Sequence, residues 1–228
     1  MKNNIYVYVL NKKIENPVDF FEKTKSKYEA RCSDLLASLN SYAESGGKMK
    51  KDEKKLVASL ILESAFDLLS KGTGPLPSAL KRDGYGKPFL VGVDTKISIS
   101  HNEDFVAIAY TKMREIGIDI ENEIAEEKAE RLSARFPQIA SLNIQSSSGK
   151  VDGIYAFEMT ESGTLTPLNL TPADDSFTAK WTAAEATMKC DGRGFSALPE
   201  ISDLAEKIDV LSFYFDTKNK NLYISIAT

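Results

Sequence analysis

Ile116-Gly117-Ile118-Asp119-Ile120-Glu121 alternates strictly between isoleucine and a small or acidic residue. Successive side chains of a β-strand point to opposite faces, so the isoleucines share an apolar face, and Asp119 and Glu121 share the other. Two carboxylates held side by side repel. A hard divalent cation with oxygen ligands relieves that repulsion, and Mg²⁺ is the usual choice where a substrate also brings phosphates. Gly117, on the same polar face, leaves room for another group to approach the backbone. A half-buried edge strand with a solvated acidic face has the same alternation, so the hexapeptide alone admits both readings.

The 228 residues, 42% of them hydrophobic, suffice for one large domain or two small ones around a real core. The longest apolar runs, such as Leu60-Ile61-Leu62, are far too short to cross a bilayer. Residues 5–10 read as a first strand with no cleavage site before it, so the expectation is a cytoplasmic protein with no membrane partner. Cys32 and Cys190 lie far apart and lack CxxC or Cys/His spacing, which supports neither a disulfide framework nor a zinc site. His101 is the single histidine, so no site needs several imidazoles. A net charge of −4, from 29 basic and 33 acidic residues, argues against nucleic acid as a partner.

Working outward, residues 17–39 read as a helix with Phe20, Phe21, Leu35, Leu36 and Leu39 on its buried side, ended by the loop at Ser45-Gly46-Gly47. A basic run over 48–55 then opens a second helix, with Val57, Leu60, Ile61, Ala65, Leu68 and Leu69 at helical spacing and Gly72 as its C-cap. Lysines at a helix N-terminus oppose the dipole and call for solvation or an anion. Residues 72–88 look like a loop. The segment 96–100 alternates and delivers His101-Asn102, while 105–110 is nearly all apolar and reads as a central strand. A charged surface helix over 123–135 ends at Pro137. Residues 138–175 are weakly patterned, with a Ser-rich turn at 146–149 and strands at 154–159 and 164–170, and read as a hairpin insertion. A short helix over 182–190 follows Trp181 and precedes Gly192-Arg193-Gly194; strands at 210–215 and 222–227 pair across a polar turn. The expected class is α+β with two similar subdomains, residues 1–113 and 114–228, the second carrying the insertion at about 137–176.

In the helix after Trp181, Glu185 and Lys189 are four apart and project from one face. Thr182-x-x-Glu185 is also a capping box, in which Glu185 merely satisfies a backbone N–H, and Glu to Lys at this spacing is an ordinary stabilising pair. The motifs Gly86-Lys87-Pro88, Ser98-Ile99-Ser100-His101-Asn102, Gly117-Ile118-Asp119-Ile120-Glu121 and Trp181-Thr182-x-x-Glu185-Ala186-x-x-Lys189, followed by Gly192-Arg193-Gly194-Phe195, stand in one order. That order and spacing resemble the 4′-phosphopantetheinyl transferases of the larger, two-lobed type typified by the surfactin-synthetase activator. The likeness covers residues 85–136 and 177–195. It is loose over the first eighty residues and absent in the insertion.

The resemblance implies two α+β lobes related by a pseudo-twofold, with coenzyme A and Mg²⁺ in the cleft between them. It implies transfer of 4′-phosphopantetheine to a serine of an apo acyl carrier protein or peptidyl carrier domain, with release of adenosine 3′,5′-bisphosphate, by a monomer. Asp119, Glu121 and Glu185 match the metal ligands, Glu185 also the base, and Lys189 a lysine near the phosphates. His101 matches a histidine on the 3′-phosphate. Lys87 matches a lysine beside the nucleotide, with Pro88 and Ser100 in the same site, and Lys50, Lys51 and Lys54 lie where relatives grip nucleotide phosphates. Chemistry independently asks for this set: a pyrophosphate donor needs its charge neutralised, a metal bridging its oxygens, a base for the incoming hydroxyl and a cation for the departing phosphate. Ala184 departs from the pattern, standing where relatives carry a lysine and implying one cation fewer near the site. The insertion lies near the family's carrier-docking region. Ala184 and the insertion favour a relative that binds coenzyme A or a similar anion without transferring it. A carboxylate-metal phosphodiesterase is disfavoured by the acidic net charge and by the lack of a second acidic cluster.

Overall fold

The computed structural model describes residues 4–47, 49–112, 114–143, 153–217 and 220–228. The chain opens with β1 (Ile5–Asn11) and α1 (Pro17–Tyr28). Asn16 caps α1, its side-chain oxygen accepting from the amides of Val18 and Asp19, with Pro17 pre-set in the first turn. The single helix expected over 17–39 is in fact two. A 3₁₀ turn at Glu29–Arg31 and a non-helical Cys32 separate α1 from α2 (Ser33–Glu44). A straight rod has one line of contact, and the break lets both segments lie against α3 (Lys51–Ser70). That helix ends as the sequence implies, with Gly72 at φ +69° donating its amide to the Leu69 carbonyl.

Next come β2 (Ala79–Arg82) and β3 (Pro88–Val91), which pair as a hairpin where a loop was expected. Each has four residues and a single buried one, Leu80 or Leu90, too little for a readable alternation. The chain continues through β4 (Lys96–His101), β5 (Phe105–Thr111), β6 (Gly117–Asn122), α4 (Glu126–Arg135) and α5 (Pro137–Ala140). Then follow β7 (Ile154–Met159), β8 (Leu165–Pro167), β9 (Thr171–Pro172), α6 (Phe177–Asp191), a 3₁₀ stretch at Gly194–Glu200, α7 (Ile201–Lys207), β10 (Val210–Thr217) and β11 (Lys220–Ala227).

The fold is α+β. One sheet runs β4-β5-β1-β7-β8 and another β6-β11-β10-β9, with β2 and β3 apart. Strand alternation sorts the core into layers. Tyr8, Leu10, Ile108 and Tyr110 of the first sheet face α1, α2 and α3; Val7, Val9, Phe105 and Ala107 face the second sheet. There they meet Ile116, Ile118, Ile120, Phe213, Leu222 and Ile224. The far side of the second sheet carries α6. Wholly buried β5 lies between β4 and β1, the central place its apolar run predicts.

The insertion does form a hairpin, β7 with β8, but the hairpin belongs to the first sheet: β7 lies parallel to β1, in register from Ile5–Ile154 to Leu10–Met159. Tyr6 stacks on Tyr155 and Tyr8 on Phe157, with ring centroids 5.3 and 5.4 Å apart. Residues 154–167, assigned by the sequence to the second subdomain, therefore complete the sheet of the first, because the free edge of β1 demands a partner that need not be near in sequence. The strand expected over 164–170 is reduced to β8; β9 begins beyond it and joins the other sheet. The Ser-rich turn at 146–149 lies outside the described residues. Among the described residues no helix is long and apolar enough to cross a membrane.

Candidate active site at the seam of the two sheets

β6 is an edge strand of the second sheet and runs against β4, an edge strand of the first. Its isoleucines enter the core between the sheets, as the alternation predicts, and Gly117, Asp119 and Glu121 turn toward α6. The room left by Gly117 is taken by that helix. A Cβ there would overlap the Ala186 carbonyl oxygen and stand 2.5 Å from the Cys190 amide nitrogen. Strand and helix backbones thus touch, and this contact brings Glu185 and Lys189 over the acidic face of β6.

α6 starts earlier than the capping box implies. Ser176 is the N-cap, its hydroxyl accepting from the Ala179 amide at 3.3 Å, so Trp181 and Thr182 lie inside the helix. The Thr182 hydroxyl bonds the Thr178 and Ala179 carbonyls and the Ser225 hydroxyl on β11. Glu185 therefore has no capping duty, and Lys189 makes its ion pair with Asp119.

Asp119 is 3% exposed and Glu121 half-buried, so the acidic face is covered and not a solvated edge. Lys189 Nζ donates to Asp119 Oδ1 at 2.6 Å, Ser100 Oγ donates to the same oxygen at 2.8 Å, and Lys189 donates to Ser100 Oγ at 3.0 Å. Asp119 Oδ2 is buried without a hydrogen-bond partner among the described residues. Beside this triangle, burial pushes both Glu121 and Glu185 up to about 7, Asp119 adds to each shift, and Lys189 opposes it. Ser98, two residues before Ser100 on β4, accepts the Ile118 amide at 3.0 Å and fastens β4 to β6.

Among the described residues no three carboxylate, imidazole or thiol side chains are already gathered closely enough to hold a metal ion. The donor chemistry nonetheless fits a hard cation: an unpartnered buried carboxylate oxygen and two glutamates whose charge is disfavoured unless something positive joins them.

The remaining predicted residues divide. Lys87 reaches the α6 C-terminus, donating to the Cys190 carbonyl at 2.8 Å and to Glu115 at 2.7 Å, and Lys96 holds the other Glu115 oxygen at 2.8 Å. With Pro88, Phe89 and Lys112 these side chains line a cleft of about 590 Å³. His101 is exposed at the end of β4; desolvation lowers its pKa, and the pair Lys12–Glu53, bonded at 2.6 Å, acts on it in opposite senses. Lys54 does not reach the site. It is buried, its ammonium donating to the Ser45 and Gly46 carbonyls at 2.6 and 2.7 Å and to the Ser45 hydroxyl, so it closes the loop before α3. Lys51 pairs with Glu44 at 2.8 Å on the surface. Neither is held toward the acidic cluster, because the register of a basic run does not reveal which lysine the loop will claim. Ala184 is fully buried in the cluster of Ile139, Leu142, Met188 and Ile201, so this position lies in apolar packing beside α6.

No known family model matches the chain, and no curated protein matches it either. The site therefore rests on its own geometry. Sequence reading missed the bridging role of Ser100, the proximity of Lys12 to His101, and Glu115 as the anchor of two lysines. The alternation of Ser98 and Ser100 is the one local signal that could have pointed to a polar seam.

Proposed function

We propose that the protein is a Mg²⁺-dependent transferase that moves 4′-phosphopantetheine from coenzyme A to a serine of an apo acyl or peptidyl carrier protein, releasing adenosine 3′,5′-bisphosphate. The observation carrying this reading is the Lys189–Asp119 pair at the seam, with Asp119 Oδ2 buried and unpartnered and its charge felt by Glu121 and Glu185. Taking the two helix-backed sheets as lobes related by a pseudo-twofold, acting as a cytoplasmic monomer, belongs to the same proposal.

Asp119, Glu121 and Glu185 would hold the metal, which when bound supplies charge neutralisation on the pyrophosphate. Glu185, on the same face of α6 as Lys189, takes the proton of the incoming serine hydroxyl. The serine oxygen forms its bond to the pantetheine-side phosphorus as the bond from that phosphorus to the bridging oxygen breaks. Lys189 has an ammonium with three donors and offers one to the departing phosphate oxygens. His101 stands near Lys12 at the end of the seam, where a 3′-phosphate would find an imidazole N–H and an ammonium as donors.

Incubation with coenzyme A, Mg²⁺ and a panel of apo carrier proteins tests the reading. The expected result is a phosphopantetheine mass gain on a carrier, with adenosine 3′,5′-bisphosphate released in equal amount. Bisphosphate without a modified carrier would indicate hydrolysis, and no reaction with any carrier would refute transfer.

A further inference from the structure

Ser100 was expected among the groups that contact coenzyme A, yet its hydroxyl is committed elsewhere. It is 3% exposed, its one proton goes to Asp119 Oδ1 at 2.8 Å, and it accepts from Lys189 Nζ at 3.0 Å. The triangle joins three elements, β4 of the first sheet, β6 of the second and α6 behind it. Two donors saturate Oδ1. The Asp119 carboxylate cannot turn about its last torsion without losing both, so its orientation, and with it the direction of the unpartnered Oδ2, is set from the opposite sheet.

We propose that Ser100 is a positioning residue: its hydroxyl locks the Asp119 carboxylate so that Oδ2 is presented to a divalent cation while Lys189 stays beside it. This rests on the transferase reading for the identity of the site, but it concerns an oxygen atom and its orientation, which can be read without turnover. Ser98 supports the same arrangement at the backbone, since its bond to the Ile118 amide fixes β6 against β4 one residue before Asp119. A group oriented in this way behaves like the outer partners of metal ligands, whose loss costs about 10–100-fold in metal affinity or activity.

The test uses the full chain, Mn²⁺ as a spectroscopic probe, and the variants Ser100→Ala and Ser100→Thr, each checked by circular dichroism and melting temperature. Ser100→Ala should weaken Mn²⁺ binding, followed by electron paramagnetic resonance, by about tenfold or more. It should lower kcat and leave KM for coenzyme A unchanged. Ser100→Thr retains a hydroxyl on a strand that favours β-branched residues and should recover most of both losses. A rise in KM for coenzyme A with unaltered Mn²⁺ affinity would make Ser100 a substrate contact and overturn the proposal, as would wild-type Mn²⁺ affinity in Ser100→Ala. Wild-type protein that binds Mn²⁺ yet modifies no carrier would defeat the transferase reading, with the Mn²⁺ comparison still deciding Ser100. Absence of Mn²⁺ binding in the wild type overturns the positioning role outright.

Discussion

Glu63 on α3 and Asp119 on β6 are both buried acids paired with a lysine, and they are satisfied differently. Lys27 donates to both Glu63 oxygens at 2.9 and 2.8 Å, and Tyr28 donates to Oε2 at 2.5 Å. Burial and the Glu63 carboxylate push the Tyr28 phenol up to about 12, so it remains a donor, and its ring stacks on Phe66 with centroids 3.9 Å apart. Every oxygen of Glu63 has a partner. Asp119 concentrates its two donors on one oxygen and leaves the other bare. An unsatisfied buried acceptor costs on the order of 1–3 kcal/mol. The chain shows at Glu63 that it can saturate a buried carboxylate, and the bare oxygen at the seam is the one the proposed metal site would use. Saturation, not burial, is what distinguishes Glu63 from Asp119.

The largest test of that contrast exchanges the two acids for their amides. Asp119→Asn should reduce transfer by about 10³-fold or more, because the amide neither neutralises Lys189 nor offers a charged ligand. Glu63→Gln should cost about 1–2 kcal/mol in urea denaturation and leave kcat unchanged. An active Asp119→Asn protein, or a Glu63→Gln protein crippled in turnover but not in stability, would dissolve the distinction.

Gly117→Ala tests how the open site is assembled. The added methyl overlaps the Ala186 carbonyl, so α6 must move away from β6 and carry Glu185 and Lys189 with it. The expected outcome is a loss of about 1–3 kcal/mol from overpacking together with a roughly 10²-fold fall in kcat from misplacement. Stability lost with kcat retained would mean that the glutamate and lysine do not act from α6.

At the rim of the same site, His101→Ala should weaken coenzyme A by roughly one to two decades through loss of a charge-assisted hydrogen bond to the 3′-phosphate. Dephospho-coenzyme A, which lacks that phosphate, should hardly change. The ratio of the two kcat/KM values should then approach one. Equal losses with both donors would return His101 to the structural class represented by Glu63.

The smallest effect is in stability against pH. Folded Glu121 and Glu185 hold their protons up to about pH 7, chiefly because burial disfavours their charge, whereas an unfolded glutamate releases its proton near about 4.3. Between those values the folded state binds more protons, so stability without metal should fall as pH rises from about 4 to 7. Above that window Mg²⁺ takes the place of the protons. It should raise the melting temperature by a few degrees at pH 8 and leave it unmoved at pH 5, as read by scanning calorimetry. A Mg²⁺ shift indifferent to pH, or undiminished in a Glu121→Gln protein, would separate these carboxylates from the metal.

What the sequence alone determined is what short-range periodicity encodes. The alternation over 116–121 put the isoleucines between the sheets, the apolar run at 105–110 set β5 in the middle of its sheet, Gly72 ended α3, and the spacing of Glu185 and Lys189 placed them on one helical face. Each follows from backbone geometry repeating every two or 3.6 residues. Tertiary structure decided the rest. Ser100 and Lys189 meet Asp119 across 19 and 70 residues of chain, β7 pairs with β1 from the far half, the 45–46 loop claims Lys54, and Ser176 takes the cap that Thr182 was expected to supply. No local period carries these outcomes. They depend on which buried polar groups find partners once the layers close, and that competition is resolved only in three dimensions.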